Sequence, residues 1–254
     1  MQSHTDLLID ERGVARLTLT EAGSLNILGT AVINSLTAAI QSLSEDPRVR
    51  VVILRTSGSK AFIGGADLKE MMGLERVQAK RFISGLRDLC AALQQCKATV
   101  VAQMQGWSLG GGLEVAAACD LRVASSKAHF AMPEVRMGIP SVIHAALLPG
   151  LIGSGRARWL MLTGEAIDAQ TALNWGLVNT VAQDEDLEQE TERMVQSLLA
   201  SEPQALEQQK RLLNAWDQVT LGDSIPASIE AFGDAFDTGE PARAMSAFFA
   251  RLRA

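Results

Sequence analysis

Tyrosine is absent from this chain, so no catalytic scheme here can use a phenol. Histidine is scarce. His4, His129 and His144 share no metal-ligand spacing, and no metal site is expected. Cysteine is scarce and odd in number: Cys90, Cys96 and Cys119 form no C-x-x-C pair. That argues against a disulfide framework and for a reducing compartment. No apolar run reaches the length of a membrane span. The opening Met1-Gln2-Ser3-His4-Thr5-Asp6 has no basic region followed by an apolar stretch. A soluble, cytoplasmic protein is the expectation. Positive charge is in deficit, with 23 Lys and Arg against 29 Asp and Glu and a net charge of −6. This balance disfavours nucleic acid or an anionic membrane as the main partner. It leaves room for a local basic pocket that takes a phosphorylated ligand. No Pro-, Gly- or Ser-rich linker divides the chain, and Gly153-Ser154-Gly155 lacks the third glycine of a dinucleotide fingerprint.

What is present is apolar. Hydrophobic residues fill 47% of the 254 positions and charged residues 20%, enough for a sizeable core and too apolar for disorder. The length fits one compact unit with a modest C-terminal extension. Residues 6–10 and 14–20 are β-favouring runs split by Glu11-Arg12-Gly13, a hairpin signal. Val32, Leu36, Ala39, Ile40 and Leu43 recur at helical spacing, and Asp46-Pro47 ends that helix. Near-continuous apolar runs at 49–54 and 99–104 read as buried strands, with a helix over 75–96 between them. Residues 110–119 read as a helix opening on glycines, and 121–124 and 128–131 as short strands. From Ser141 the pattern is helical, over 142–152, 156–162, 168–175, 186–199, 203–216 and 240–252. Strand–helix repeats followed by a helical tail predict stacked β-turns wrapped by helices.

Three segments carry chemistry. Residues 60–71 (KAFIGGADLKEM) run from a strand through a glycine pair into a short helix with Asp67 at its start. N–H groups at such a start are unpaired and can meet developing negative charge. The plainer alternative is a tight turn capped by Asp67. Residues 105–114 (QGWSLGGGLE) place three glycines between a strand and a helix, where backbone can approach a ligand closely. Glu114 lies one turn inside that helix; its plainer role is to complement the helix dipole. Residues 130–140 (FAMPEVRMGIP) put Glu134 in a Pro- and Gly-punctuated loop, ordinarily a solvated position.

Taken together, A-F-x-x-G-A-D-[IL]-K-E-M, G-x-x-x-G-G-G-x-E and P-E-x-x-x-G-I-P, in this order and spacing, resemble the crotonase (enoyl-CoA hydratase/isomerase) superfamily. The closing segment 240–251 (EPARAMSAFFAR) resembles that family's last helix, so the similarity covers nearly the whole chain. The resemblance implies an α/β fold, the ClpP/crotonase-type superhelix of repeated β-β-α turns, with a core over 1–195 and a C-terminal helical trimerisation region over 196–254. It implies an enoyl-CoA hydratase that adds water to a 2-enoyl thioester, with Glu114 and Glu134 as catalytic carboxylates. Ala66 and Gly111 match the two backbone donors of the oxyanion hole. Lys60, Gly64, Asp67, Leu68, Lys69, Trp107, Leu109, Phe248 and Arg251 become coenzyme A contacts, Lys60, Lys69, Phe248 and Arg251 at the adenosine-phosphate end. No separate cofactor is implied, because coenzyme A is part of the substrate. The assembly implied is a homotrimer or a dimer of trimers.

Several positions depart from the pattern. Ser141-Val142-Ile143-His144-Ala145-Ala146 stands where many hydratases are glycine-rich, which predicts a reshaped acyl pocket. Gln105 replaces a common Asn, and Arg251 a frequent Lys. His144 reads as a buried or interface histidine, the alternative being a contact with the acyl group. Three other functions compete. An isomerase would share the oxyanion hole and differ only in proton placement. A non-catalytic crotonase-fold binding protein has no need of both glutamates. A serine hydrolase is signalled by Gly106-Trp107-Ser108-Leu109-Gly110, a G-x-S-x-G string, but only His129 and His144 follow it and the second half reads as lacking strands to present them.

Overall fold

The computed structural model describes residues 4–252. The chain begins with β1 (Thr5–Ile9) and β2 (Val14–Leu19), then α1 (Thr30–Glu45) and β3 (Val51–Thr56). β4 (Ala61–Ile63), α2 (Leu68–Met71) and α3 (Arg76–Gln95) follow. The next turn is β5 (Thr99–Met104), β6 (Trp107–Leu109) and α4 (Gly111–Ala118), and a third starts with β7 (Leu121–Ser125) and β8 (His129–Ala131). Two 3-10 turns, Glu134–Met137 and Ile143–Leu147, lead to α5 (Leu148–Ile152), α6 (Ser154–Thr163), β9 (Ile167–Asp168), α7 (Ala169–Trp175) and β10 (Thr180–Ala182). The chain ends in α8 (Leu187–Leu199), α9 (Pro203–Trp216), α10 (Leu221–Asp237) and α11 (Glu240–Arg251).

The strands sort into two sheets, ordered β1-β2-β3-β5-β7-β10 and β4-β6-β8-β9. β3, β5 and β7 are parallel in the first, and β4, β6 and β8 are parallel in the second. Each turn of the chain thus lays one strand in each sheet and then a helix or helical turn, which is the expected β-β-α repeat. The large sheet is covered on both faces, which explains the continuous apolar runs of β3 and β5. One face carries the main core, including Leu36, Ile40, Leu54, Leu86, Leu93 and Val100. The other face packs Val14, Val51, Ile53, Val101 and Val123 against Leu187 and Val195 of α8. The 195/196 division falls inside α8, and α9–α11 follow it as a helical layer.

α9 is fastened to the core by a buried cation. Lys210 is 6% exposed, and its Nζ donates to the Leu93 and Ala98 carbonyls at 3.0 and 3.1 Å and pairs with Asp120 at 2.7 Å. Glu240, at the start of α11, accepts from Gln204 and Ala205 N–H at 3.1 Å each and so caps α9 from outside.

Five features depart from the pattern reading. β6 replaces what reads as glycine loop. β9 and β10 lie in the half expected to be all helix, and both join the sheets by backbone pairing. Residues 217–239 read as no element, yet they hold α10, with Thr220 capping Asp223 N–H and Pro226 inside the helix. Gly222, Pro226 and Gly233 mask its propensity. The single helix expected over 142–152 divides into a 3-10 turn and α5, with Pro149 at the start of the latter.

Candidate active site

The site forms where the two glycine turns meet. After β4, residues 64–66 bridge to Leu28. The Leu28 N–H donates to Gly65 O at 2.9 Å and the Asp67 N–H to Leu28 O at 3.0 Å. This pairing skips the Ala66 N–H, which has no acceptor among the described residues. After β6 the backbone turns at Gly110 with φ 51° and ψ −120°, a conformation open to glycine. A Cβ there would also collide with Glu134 Oε1. Gly111 then opens α4, and its N–H likewise has no acceptor among the described residues. A Cβ on Gly111 would stand 4.0 Å from Ala66 N, so the two free donors are neighbours. α4 reaches this position because Gly112 packs directly on β4, where a Cβ would collide with the Ile63 carbonyl. Leu86 of α3 walls the same spot, its Cδ2 2.7 Å from where that Gly111 Cβ would be.

Glu114 sits in the first turn of α4 and is 3% exposed. The Ala145 N–H donates to its Oε1 at 3.1 Å. Burial pushes the carboxyl up to about 8, the Ala145 N–H opposes that shift, the nearby Glu134 charge adds to it, and the Val142 N–H opposes it again. Glu134 begins the first 3-10 turn, is half-buried, and lies against Gly110. Ser141 Oγ donates to its Oε2 at 2.9 Å. Burial raises the Glu134 carboxyl as well, offset by its own N–H and by Ser141. Two carboxylates with raised proton affinity therefore flank two free N–H donors. The arrangement can hold an anionic oxygen and move protons beside it.

The remaining expected contacts divide. Lys60 ends exposed beside β4, its carbonyl accepting from Trp107 N–H at 3.1 Å, and Gly64 donates its N–H to Leu25 O at 2.8 Å. Leu68 and Lys69 are exposed on α2, and Leu109 is half-buried on β6. Trp107 is partly exposed and stacks on His129, ring centres 4.7 Å apart. Asp67 uses its carboxylate as the α2 cap, accepting from Lys69 and Glu70 N–H at 2.8 and 3.2 Å. Phe248 and Arg251 are exposed on α11, which packs chiefly on α10. His144 is half-buried, with Nε2 3.0 Å from Gln94 Oε1. Gln105 Nε2 donates to the Gly58 carbonyl.

Ser108 is fully buried on β6, and its hydroxyl has no hydrogen-bond partner among the described residues. His129 turns its Nδ1 to the Lys127 carbonyl at 3.0 Å, and His144 turns to Gln94. The G-x-S-x-G string has no base beside its serine.

Four further residues shape the site without a motif of their own. Asn26, with φ 52°, donates from Nδ2 to the Ser57 and Ala61 carbonyls at 3.0 and 2.8 Å and pins the start of β4. Arg122 is 4% exposed and donates to the Ala116, Cys119 and Leu177 carbonyls, closing the C-terminal end of α4. Ser141 and Ala145 reach the two carboxylates. Their only sequence signal is the departure from glycine-rich spacing after Pro140.

A family model described as enoyl-CoA hydratase/isomerase matches residues 10–254. A short-chain-enoyl-CoA hydratase of Clostridium acetobutylicum is 32% identical over 254 residues, covering 100% of this chain and 97% of the relative. A crotonyl-CoA hydratase of Syntrophomonas wolfei is 31% identical, covering 98% and 96%. The crystal structure of an enoyl-CoA hydratase of Mycobacterium smegmatis superposes with a TM-score of 0.94 at 30% identity, covering 98% of this chain and 97% of that one.

Proposed function

The chain belongs to the enoyl-CoA hydratase/isomerase family, and on that premise we propose that it adds water across the double bond of a 2-enoyl-CoA thioester, using Ala66, Gly111, Glu114 and Glu134. The observation that carries this reading is the adjacency of the free Ala66 and Gly111 N–H groups to one buried and one half-buried carboxyl, Glu114 and Glu134.

The chemistry follows from that adjacency. Hydration builds negative charge on the thioester oxygen as oxygen adds at C3. Two fixed N–H donors stabilise that charge without reorganising. Glu114 fixes the water and takes one of its protons while the water oxygen bonds to C3. Glu134 gives a proton to C2. The net result is H at C2 and OH at C3, with the pair back at its starting proton count. Burial raises both carboxyls, and the Glu134 charge adds to the rise at Glu114.

Coenzyme A enters as part of the substrate and no other cofactor is needed. Lys60 and Lys69 are exposed cations at the edge of the glycine turn and suit the adenosine phosphates, with Gly64, Asp67, Leu68, Trp107 and Leu109 along the path. Phe248 and Arg251 would join them from α11. A homotrimer or a dimer of trimers fits the apolar stripe of α10, where Leu221, Ile225, Ile229, Phe232 and Phe236 are all exposed at helical spacing. Three free, buried cysteines fit a reducing cytoplasm. No helix among the described residues is long and apolar enough to cross a membrane.

Incubating the protein with crotonyl-CoA and identifying the product tests the reading. 3-Hydroxybutyryl-CoA is expected. A product with a migrated double bond and no added water would favour an isomerase, and no turnover of any enoyl-CoA would end the proposal. Light scattering of the pure protein tests the trimer.

A further inference from the structure

The turn that follows Pro140 touches both carboxylates. Ser141 Oγ donates to Glu134 Oε2 at 2.9 Å. Four residues later the Ala145 N–H donates to Glu114 Oε1 at 3.1 Å. Between them Ile143 has φ 41°, a left-handed conformation that a β-branched residue rarely adopts. Such strain persists only where the surroundings impose it. Here the surroundings are visible: the Ile143 side chain packs on the main core, and His144 is tied to Gln94 of α3. The backbone is thereby bent so that one short segment presents a hydroxyl to one carboxylate and an N–H to the other.

Glu134 depends on this segment more than Glu114 does. Glu114 is carried on a regular helix and enclosed. Glu134 stands at the start of a 3-10 turn, half-exposed, and Ser141 is its one side-chain partner among the described residues. A carboxylate with one side-chain donor loses its fixed orientation when that donor goes.

We propose that Ser141 is a positioning residue for the reaction: its hydroxyl holds the Glu134 carboxylate against Gly110, so that the strained 141–145 turn clamps both carboxylates in one geometry. The inference rests on the hydratase reading for its kinetic consequence, but the clamp itself is a property of the resting protein. The other charged groups near Glu134 do not substitute for the serine. Glu114 on α4 is a second carboxyl and brings no positive charge. Arg136, two residues on, donates to the Thr163 carbonyl, and Arg156 of the packed α6 lies over Trp175. Arg158, also on α6, is exposed. His144 is turned to Gln94.

Ser141→Ala and Ser141→Thr test the proposal in two arms. In the first, hydration of crotonyl-CoA is followed across pH. Ser141→Ala is expected to lower kcat by about 10-fold to 100-fold with KM little changed, and Ser141→Thr, which keeps the hydroxyl, to recover most of it. In the second, the Glu134 carboxyl is titrated by carbon NMR in the resting protein, its signal assigned with Glu134→Gln. Losing a donor to a charged oxygen is expected to move its midpoint up by about one pH unit. Parental kcat in Ser141→Ala, or Thr no better than Ala at parental stability, overturns the kinetic role. An unmoved Glu134 midpoint overturns the clamp. If the parent hydrates no enoyl-CoA, the hydratase reading fails by itself, and the NMR arm still decides whether Ser141 holds Glu134.

Discussion

The Ala145 N–H reaches Glu114 Oε1 at 3.1 Å, so a carboxyl that burial drives toward its neutral form is held by a donor that favours its charged form. Burial wins in the resting protein, and the carboxyl sits at about 8. Water activation needs the ionised form. The free enzyme therefore gains competence as Glu114 ionises while Glu134 keeps its proton, and kcat/KM for crotonyl-CoA should climb toward about pH 8 and fall once Glu134 is ionised as well. A profile that instead falls on the approach to about pH 8 would make Glu114 the acid and reverse the roles assigned to the pair.

The same shift bears on stability. Glu114 lies at about 8 in the folded chain against an ordinary 4.5. Between those values the folded state holds more protons than the unfolded one, so stability falls as pH rises through the window. Replacing Glu114 by Gln removes the buried charge. Glu114→Gln should melt near the parent at pH 5 and well above it at pH 9, a gain on the order of a few kcal/mol. Calorimetry at the two pH values checks this, and an equal Tm difference at both would contradict it.

Gly110 should tolerate no side chain. Its φ of 51° and the contact with Glu134 Oε1 both exclude a Cβ. Gly110→Ala is expected to displace Glu134 and the neighbouring Gly111 N–H together. Losing one oxyanion donor alone is worth about 10² to 10³ in rate. Steady-state kinetics alongside circular dichroism separates a lost site from a lost fold.

Fold and site were legible in the sequence to different degrees. The buried strands and the amphipathic helices α1, α3 and α8 follow from apolar spacing, because each buries a continuous face. α10 was not legible, since Pro226 and two glycines hide a helix whose apolar face stays exposed in the single chain. The glycine turns alone leave capping and dipole roles open, and it is the family resemblance of the three motifs that singles out Ala66, Gly111, Glu114 and Glu134. The cap role of Asp67 is legible from its place at the start of a short helix and is what its carboxylate does in the resting chain. Asn26, Arg122 and Ser141 act through long-range contacts to backbone or carboxylate, which no local pattern encodes.

Lys210 holds the C-terminal helices to the core through Asp120 and two carbonyls. Removing one partner of a buried pair leaves an uncompensated charge and costs about 3–5 kcal/mol. Lys210→Ala should lower the urea midpoint accordingly, with Lys210→Ala/Asp120→Asn recovering part of the loss. A double variant as unstable as the sum of the two singles would show that the pair is not coupled.

Turnover of crotonyl-CoA in deuterium oxide, with mass and NMR analysis of the product, decides whether the two carboxyls and two free N–H groups hydrate an enoyl thioester. The parent protein should yield 3-hydroxybutyryl-CoA carrying one deuterium at C2, and Glu134→Gln should lose about 10² to 10⁴ in that rate. Hydration at the parental rate by Glu134→Gln, or a parent that returns crotonyl-CoA unchanged, would contradict this chemistry.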